Sequence, residues 1–383
     1  MTRRAASSVI AGALAGVIGA PSLMRGAFAQ SGKVVVGVVL PLTGVLAAYG
    51  KPFADAMQMV VDDANAAGGV DGRQVQLLVE DGQASNTVVI NALNKILQSD
   101  PVAVIGPALG TQVLAIMPIT EREKLPLIAG PGTRRVTQMG AKYYVRNAAH
   151  DAFAKEDTVR FLAGDLGKKR IGIMHVSNEW GYSGRDNVSA YLESIYQLKP
   201  VSIAAYQATD KDLTAQIMQM RSDGTDAIVI QGHPVDEALA VRQLRQLGVS
   251  QVVVGSSALG IAYLRNLVDP AEFVGRYCES PAMIPSFSAD GRVQAVVAAY
   301  QKKVGFAPDI ATLMYYDAAG LLIEVMRKYG ATREKINDGL KQISYAGVVG
   351  PYKSDEEGNL FHGSVVIEFT ADKSLKVVRN ASR

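Results

Sequence analysis

Cysteine is almost missing from this 383-residue sequence. Cys278 stands alone, so no internal disulfide can form and a small buried packing role is expected of it. Histidine is scarce too: His150, His175, His233 and His362 are the only four, and none lies within five residues of another. That spacing excludes a helical histidine pair for zinc. The sequence holds no GxxxxGK[ST] loop, and the first apolar run, "KVVVGVVLPLTG", carries no GxGxxG, so both common phosphate-cradling loops are excluded. "GYSGR" (Gly181–Arg185) misses the second glycine of a GxSxG nucleophile elbow by one place. Asp62 and Asp63 fall on a helical pattern and read as a solvated face, not an acid pair. No apolar run reaches the ~20 residues of a membrane-spanning helix.

What is present begins with an atypical N-terminus. Arg3 and Arg4 precede a 12-residue apolar core, "VIAGALAGVIGA" (Val9–Ala20), and "AFA" closes at Ala29. A charged start, a short apolar core and small residues at the end make an export signal over residues 1–29, cleaved after Ala29. "TRR" leaves the twin-arginine and general secretory routes both open. No cysteine follows the cleavage site, so no lipid anchor is expected there. Removing this segment removes Arg3, Arg4 and Arg25 and no acid, so 39 Lys and Arg fall to 36 against 36 Asp and Glu. A neutral mature chain argues against a nucleic-acid partner, and the export signal places the protein outside the cytoplasm, in the periplasm.

Length and composition suit two packed domains, at 48% hydrophobic and 20% charged residues. Apolar runs alternate with amphipathic ones. "KVVVGVVL", "VQLLV", "VAVI" and "PLIA" read as strands of a first half. "RIGIMHV", "VSIAAY", "DAIVI" and "VVVG" read as strands of a second half that restarts near residue 150. Between them the pattern predicts helices from Phe53 and from Thr111, with Ser85 capping another. Further helices are expected over 151–166, 182–197, 211–223, 235–248, 289–304 and 310–328, and "VVIEF" reads as a late strand. Continuous apolar strands separated by helices mean α/β lobes whose parallel sheets are covered on both faces.

Six loops open where an apolar strand ends: "LPLTG", "GPALGT", "AGPGT", "HVSNEWGYSG", "QGHP" and "GSSALG". Three belong to each half. Ligands of open parallel sheets sit beyond the carboxyl ends of the strands, so this phasing points to one ligand held between two lobes. Small residues in "GPALGT" and "AGPGT" let a ligand approach backbone N–H groups, which suit an anion.

Taken together, "VVGVVLPLTGVLAAYGKPFADAMQMVVDDANAAGGVDGRQVQLLVEDGQA", "VAVIGPALGT", "LPLIAGPGT" and "NEWGYSG" resemble the leucine/isoleucine/valine-binding protein family. Its members are periplasmic receptors of ABC importers with the type I periplasmic binding protein fold. The resemblance runs from about Lys33 to the C-terminus and is most specific in its first hundred residues. It implies two Rossmann-like lobes, residues 33–149 with 280–348 and residues 150–279 with 349–383, closing on a ligand by hinge motion. The crossovers would lie near Ala148–Asp151, Cys278–Pro281 and Val348–Tyr352.

The resemblance also implies site roles. Gly110–Thr111 and Gly132–Thr133 would hold a ligand carboxylate, Tyr49 and Trp180 would be aromatics from facing lobes, and His233 would lie near an ammonium. Ser257 falls where leucine-binding relatives carry a Glu, and Arg134 and Arg135 follow Thr133. Whether the ligand carries an α-amino group therefore stays open, with Glu179 and Asp236 as acids able to replace the missing Glu. The implied partners are a small amino acid or related carboxylate and the permease subunits of an ABC transporter. No cofactor or metal is implied, and a monomer is expected. A ligand-sensing receptor with a signalling partner and a secreted enzyme remain as alternatives, the latter without a supporting motif.

Overall fold

The computed structural model describes residues 32–380 apart from residue 45 and residues 262–267 and 372–374. The export signal and its cleavage after Ala29 lie outside the described residues.

The first half forms a five-stranded parallel sheet in the order β2-β1-β3-β4-β5. Its strands are β1 (Val34–Leu40), β2 (Val75–Asp81), β3 (Ala103–Ile105), β4 (Leu127–Ala129) and β5 (Tyr144–Arg146). Helices α1 (Ala47–Ala66), α2 (Asn86–Leu97), α3 (Gly110–Arg122) and α4 (Arg135–Gln138) connect them. Both sheet faces are covered, which is why the strands read as unbroken apolar runs. Phe53, Met57, Val61 and Ala64 form the buried stripe of α1, and Val89, Leu93 and Ile96 that of α2.

The second half starts with α5 (Asp151–Val159), continued by a wider π turn, Arg160–Asp165. It continues through β6 (Ile171–Val176), α6 (Glu179–Tyr196), β7 (Ser202–Tyr206), α7 (Thr214–Ser222), β8 (Ala227–Gln231), α8 (Pro234–Gln246) and β9 (Val252–Gly255). A short α9 (Pro270–Phe273) and β10 (Tyr277–Ser280) follow. Strands β13 (Val365–Phe369) and β14 (Leu375–Asn380) complete a seven-stranded sheet, β14-β13-β10-β9-β8-β6-β7. Its core is parallel, but β13 and β14 pair antiparallel at one edge. Cys278 lies in β10, fully buried.

Between β10 and β13 the chain returns to the first sheet. Helices α10 (Gly291–Val304), α11 (Ile310–Tyr329) and α12 (Arg333–Gln342) precede a small hairpin of β11 (Ser344–Ala346) and β12 (Pro351–Lys353). Met314, Tyr315, Leu322, Ile336 and Leu340 share one core with Val36, Val38, Phe53 and Met57. The chain thus passes between the sheets after β5, after β10 and before β13.

The third passage is displaced from the expected Val348–Tyr352. That segment is tied to the first lobe by the Asp317 carboxylate, which accepts from the Val348 and Val349 amides at 2.7 and 2.8 Å and from the Tyr352 hydroxyl at 3.0 Å. Tyr352, Leu360 and Phe361 are buried in the first core, so the change of lobe waits until after Phe361. No pattern in the sequence pairs Asp317 with residues more than thirty positions away.

Candidate ligand-binding cleft

A cavity of about 180 Å³ lies between the two sheets, far larger than a single water requires. The first lobe supplies the turn after β3 (Ala108–Gly110) and the turn after β4 (Gly130–Thr133). The second supplies Trp180, His233 and Ser257, and Tyr49 comes from α1. Seven of the eight expected residues therefore border one space. Thr111 does not. It is the second residue of α3 and half-buried, and a helix turns by about a quarter revolution per residue, so Gly110 faces the cleft and Thr111 turns from it.

The wall formed by these two turns is built by close packing. Gly110 opens α3, and a methyl on its α-carbon would collide with the Thr133 side chain. Thr133 is fully buried, and its hydroxyl oxygen has no hydrogen-bond partner among the described residues. Its loop is held from behind by Arg146, itself fully buried, which donates to the carbonyls of Pro131 at 2.5 Å and Thr133 at 2.9 Å. Burial lowers the Arg146 pKa. Sequence reading missed this clamp, whose arginine lies at the end of an apolar strand.

Arg134 and Arg135 do not border the cavity. Arg135 reaches out to Glu179, with Nη1 3.0 Å from Oε1. Asp236 also stays out, capping α8 by accepting the His233 amide at 3.1 Å. Trp180 sits not in a loop but in the first turn of α6, which begins three residues earlier than expected because the Asn178 side chain caps it, accepting from Gly181.

The hinge wall holds acids that the sequence did not reveal. Asp151, 4% exposed, accepts from the Trp180 indole N–H at 3.1 Å. Burial pushes its carboxyl pKa up, against Lys155, which lowers it. Glu279 pairs with the fully buried Lys155, Oε1 to Nζ 2.5 Å, and accepts from the Thr158 hydroxyl at 3.3 Å. Burial raises Glu279 as well. His233 lies 5.0 Å from the Trp180 ring and has Nε2 2.9 Å from Asn178 Nδ2; burial pulls its pKa down to about 4. Burial, then Arg146, pulls His150 down to about 3. Burial thus favours the neutral form of both histidines at pH 7, and among the described residues no lysine or arginine lines the cavity. The far end is apolar: Tyr49, Phe53 and Tyr315 form an aromatic run, the last two stacked at 4.2 Å, beside Leu46, Ile310 and Met314.

Two sheets of this topology with a cleft at their strand ends define a two-lobed solute-binding protein. The chain belongs to the periplasmic binding protein family, whose model matches residues 33–373. It is 23% identical over 325 residues to a leucine-, isoleucine-, valine-, threonine- and alanine-binding protein of Pseudomonas aeruginosa, covering 84% of this chain and 85% of that one. A leucine-specific-binding protein of Salmonella typhimurium is 24% identical, with 94% of each chain covered. Among solved structures, a leucine-binding protein from Thermotoga maritima superposes with a TM-score of 0.82 at 25% identity, covering 91% of this chain and 98% of that one.

Proposed function

We propose that this protein is the extracytoplasmic solute-binding component of an ABC importer of the branched-chain amino acid type. It captures a small carboxylate with an apolar body between its lobes, closes by hinge motion, and presents the ligand to permease subunits. It acts as a monomer in the periplasm after removal of residues 1–29, and it performs no catalysis. The names of its relatives, which specify leucine, isoleucine, valine, threonine and alanine, support the ligand size and class.

One observation carries the reading: the Thr133 hydroxyl, fully buried at the cleft wall beside the N-terminus of α3, has no partner among the described residues. A buried hydroxyl without a hydrogen bond is costly, and a ligand carboxylate beside a helix N-terminus would satisfy it. The apolar end formed by Tyr49, Phe53 and Met314 suits an aliphatic or aromatic body. Thr133→Ala should weaken binding of the ligand that co-purifies, identified by mass spectrometry, by about 1.5–3 kcal/mol. Calorimetry showing wild-type affinity would remove the carboxylate from this loop.

A further inference from the structure

The cleft wall holds two buried carboxylates, Asp151 and Glu279, backed by two buried cations, Lys155 and Arg146. Glu279 is fully engaged: Lys155 holds one oxygen and Thr158 the other. Asp151 is not. Its Oδ1 accepts from Trp180, but Oδ2 has no hydrogen-bond partner among the described residues, although the carboxyl is 4% exposed and borders the cavity. The Ser183 hydroxyl lies close enough to this carboxyl to favour its charged form, and it accepts from the Arg134 amide at 3.2 Å. Charge is balanced by Lys155 and Arg146, but among the described residues one Asp151 oxygen is left a hydrogen-bond donor short.

Position sharpens this. The Asp151 amide donates to the Gly132 carbonyl at 2.7 Å, and a methyl on Gly132 would sit 2.6 Å from Asp151 Oδ1. Gly132 is also the neighbour of Thr133. The acid therefore adjoins the wall assigned to the ligand carboxylate, on the hinge side, while the aromatic run lies at the other end.

We propose that Asp151 is the specificity-determining residue of this cleft: it accepts a hydrogen bond from a donor, ammonium or hydroxyl, carried on the carbon next to the ligand's carboxylate. The proposal rests on the carboxylate reading above and deepens it. It replaces Ser257, Glu179 and Asp236 as the group that reads the second polar substituent. A ligand with a donor there satisfies Oδ2 and compensates the cost of burying the acid. A keto acid places a carbonyl oxygen against a carboxylate, and a deaminated acid leaves Oδ2 unsatisfied. Both should bind worse by at least about tenfold, the discrimination typical of a site built around a buried acceptor.

The test is a calorimetric and thermal-shift panel on the mature protein. The probes are leucine, 2-hydroxy-4-methylpentanoate, 4-methyl-2-oxopentanoate and 4-methylpentanoate, with phenylalanine, phenyllactate, phenylpyruvate and phenylpropanoate as the aromatic set. The expected result is that the amino or hydroxy member of at least one set binds ten- to hundredfold tighter than its keto and unsubstituted counterparts. Asp151→Asn, checked for native circular dichroism, should shrink that ratio severalfold while the unsubstituted acid loses little. Equal or tighter binding of the keto and unsubstituted acids by wild type overturns the proposal without any variant, as does an unchanged ratio in a folded Asp151→Asn. If Thr133→Ala leaves the affinity of every binding acid intact, the carboxylate reading fails instead, whatever Asp151 does. If none of the eight acids binds, both fall.

Discussion

Gly132 shows how little room the cleft leaves for change. A methyl there would lie 2.6 Å from Asp151 Oδ1 and 3.0 Å from Trp180 Nε1, wedging apart the hydrogen bond between them. Gly132→Ala is therefore expected to lower ligand affinity at least tenfold and to destabilise the fold by about 1–3 kcal/mol, the usual range for overpacking. Trp180 is the only tryptophan, so its emission reports its own surroundings directly. An alanine variant whose emission spectrum and urea midpoint both match wild type would show that the loop accommodates the methyl freely.

The turns that follow β8 and β9 are joined by one side chain. Glu237 is fully buried, and its Oε1 accepts from the Gly232 amide at 3.0 Å and the Ser256 amide at 3.1 Å. It therefore fixes the spacing of the turns that carry His233 and Ser257. Burial pushes its carboxyl up to about 8, above its unfolded value near 4.3. The folded state thus binds more protons than the unfolded state between those limits, and its stability falls as pH rises through that window. Glu237→Gln keeps an accepting oxygen and cannot ionise. Its stability relative to wild type should improve from pH 5 to pH 9, by about 1.4 kcal/mol for each pH unit over which the folded carboxyl titrates late. Urea melts at pH 5, 7 and 9 that shift in parallel would contradict this. The same elements show what a sequence reveals. The strand-end loops with Gly110, Thr133 and Ser257 were legible because an apolar run followed by small residues is a local signal. Asp151 and Glu279 were not, because their meaning lies in partners 29 and 124 residues away, Trp180 and Lys155. The edge strand β14 and the hairpin that delays the third passage escaped for the same reason: antiparallel pairing and the Asp317 tie are set by tertiary contact.

Across the whole molecule, the lobes touch at the rim as well as at the hinge. The Arg134 amide donates to Ser183 at 3.2 Å, and Arg135 meets Glu179 at 3.0 Å, linking α4 of the first lobe to α6 of the second. The ion pair is solvent-exposed, and such pairs contribute about 0.2–1 kcal/mol. Glu179→Gln should reduce ligand affinity by no more than about fivefold at low salt. The difference should vanish near 1 M salt, where charges are screened within about 3 Å. A salt-independent loss in calorimetric titrations would mean that the pair acts by packing and not by charge. The burial of Cys278 has a practical consequence at this scale. The only sulfhydryl in the chain is fully enclosed in β10, so dyes that label thiols find nothing to attack on the native surface. A cysteine introduced at Tyr182, which is 39% exposed and two positions beyond Trp180, becomes the single addressable handle. Coupled to an environment-sensitive fluorophore, it turns the opening and closing of the lobes into light, and the protein into an optical gauge of its own solute that requires no prior removal of native chemistry.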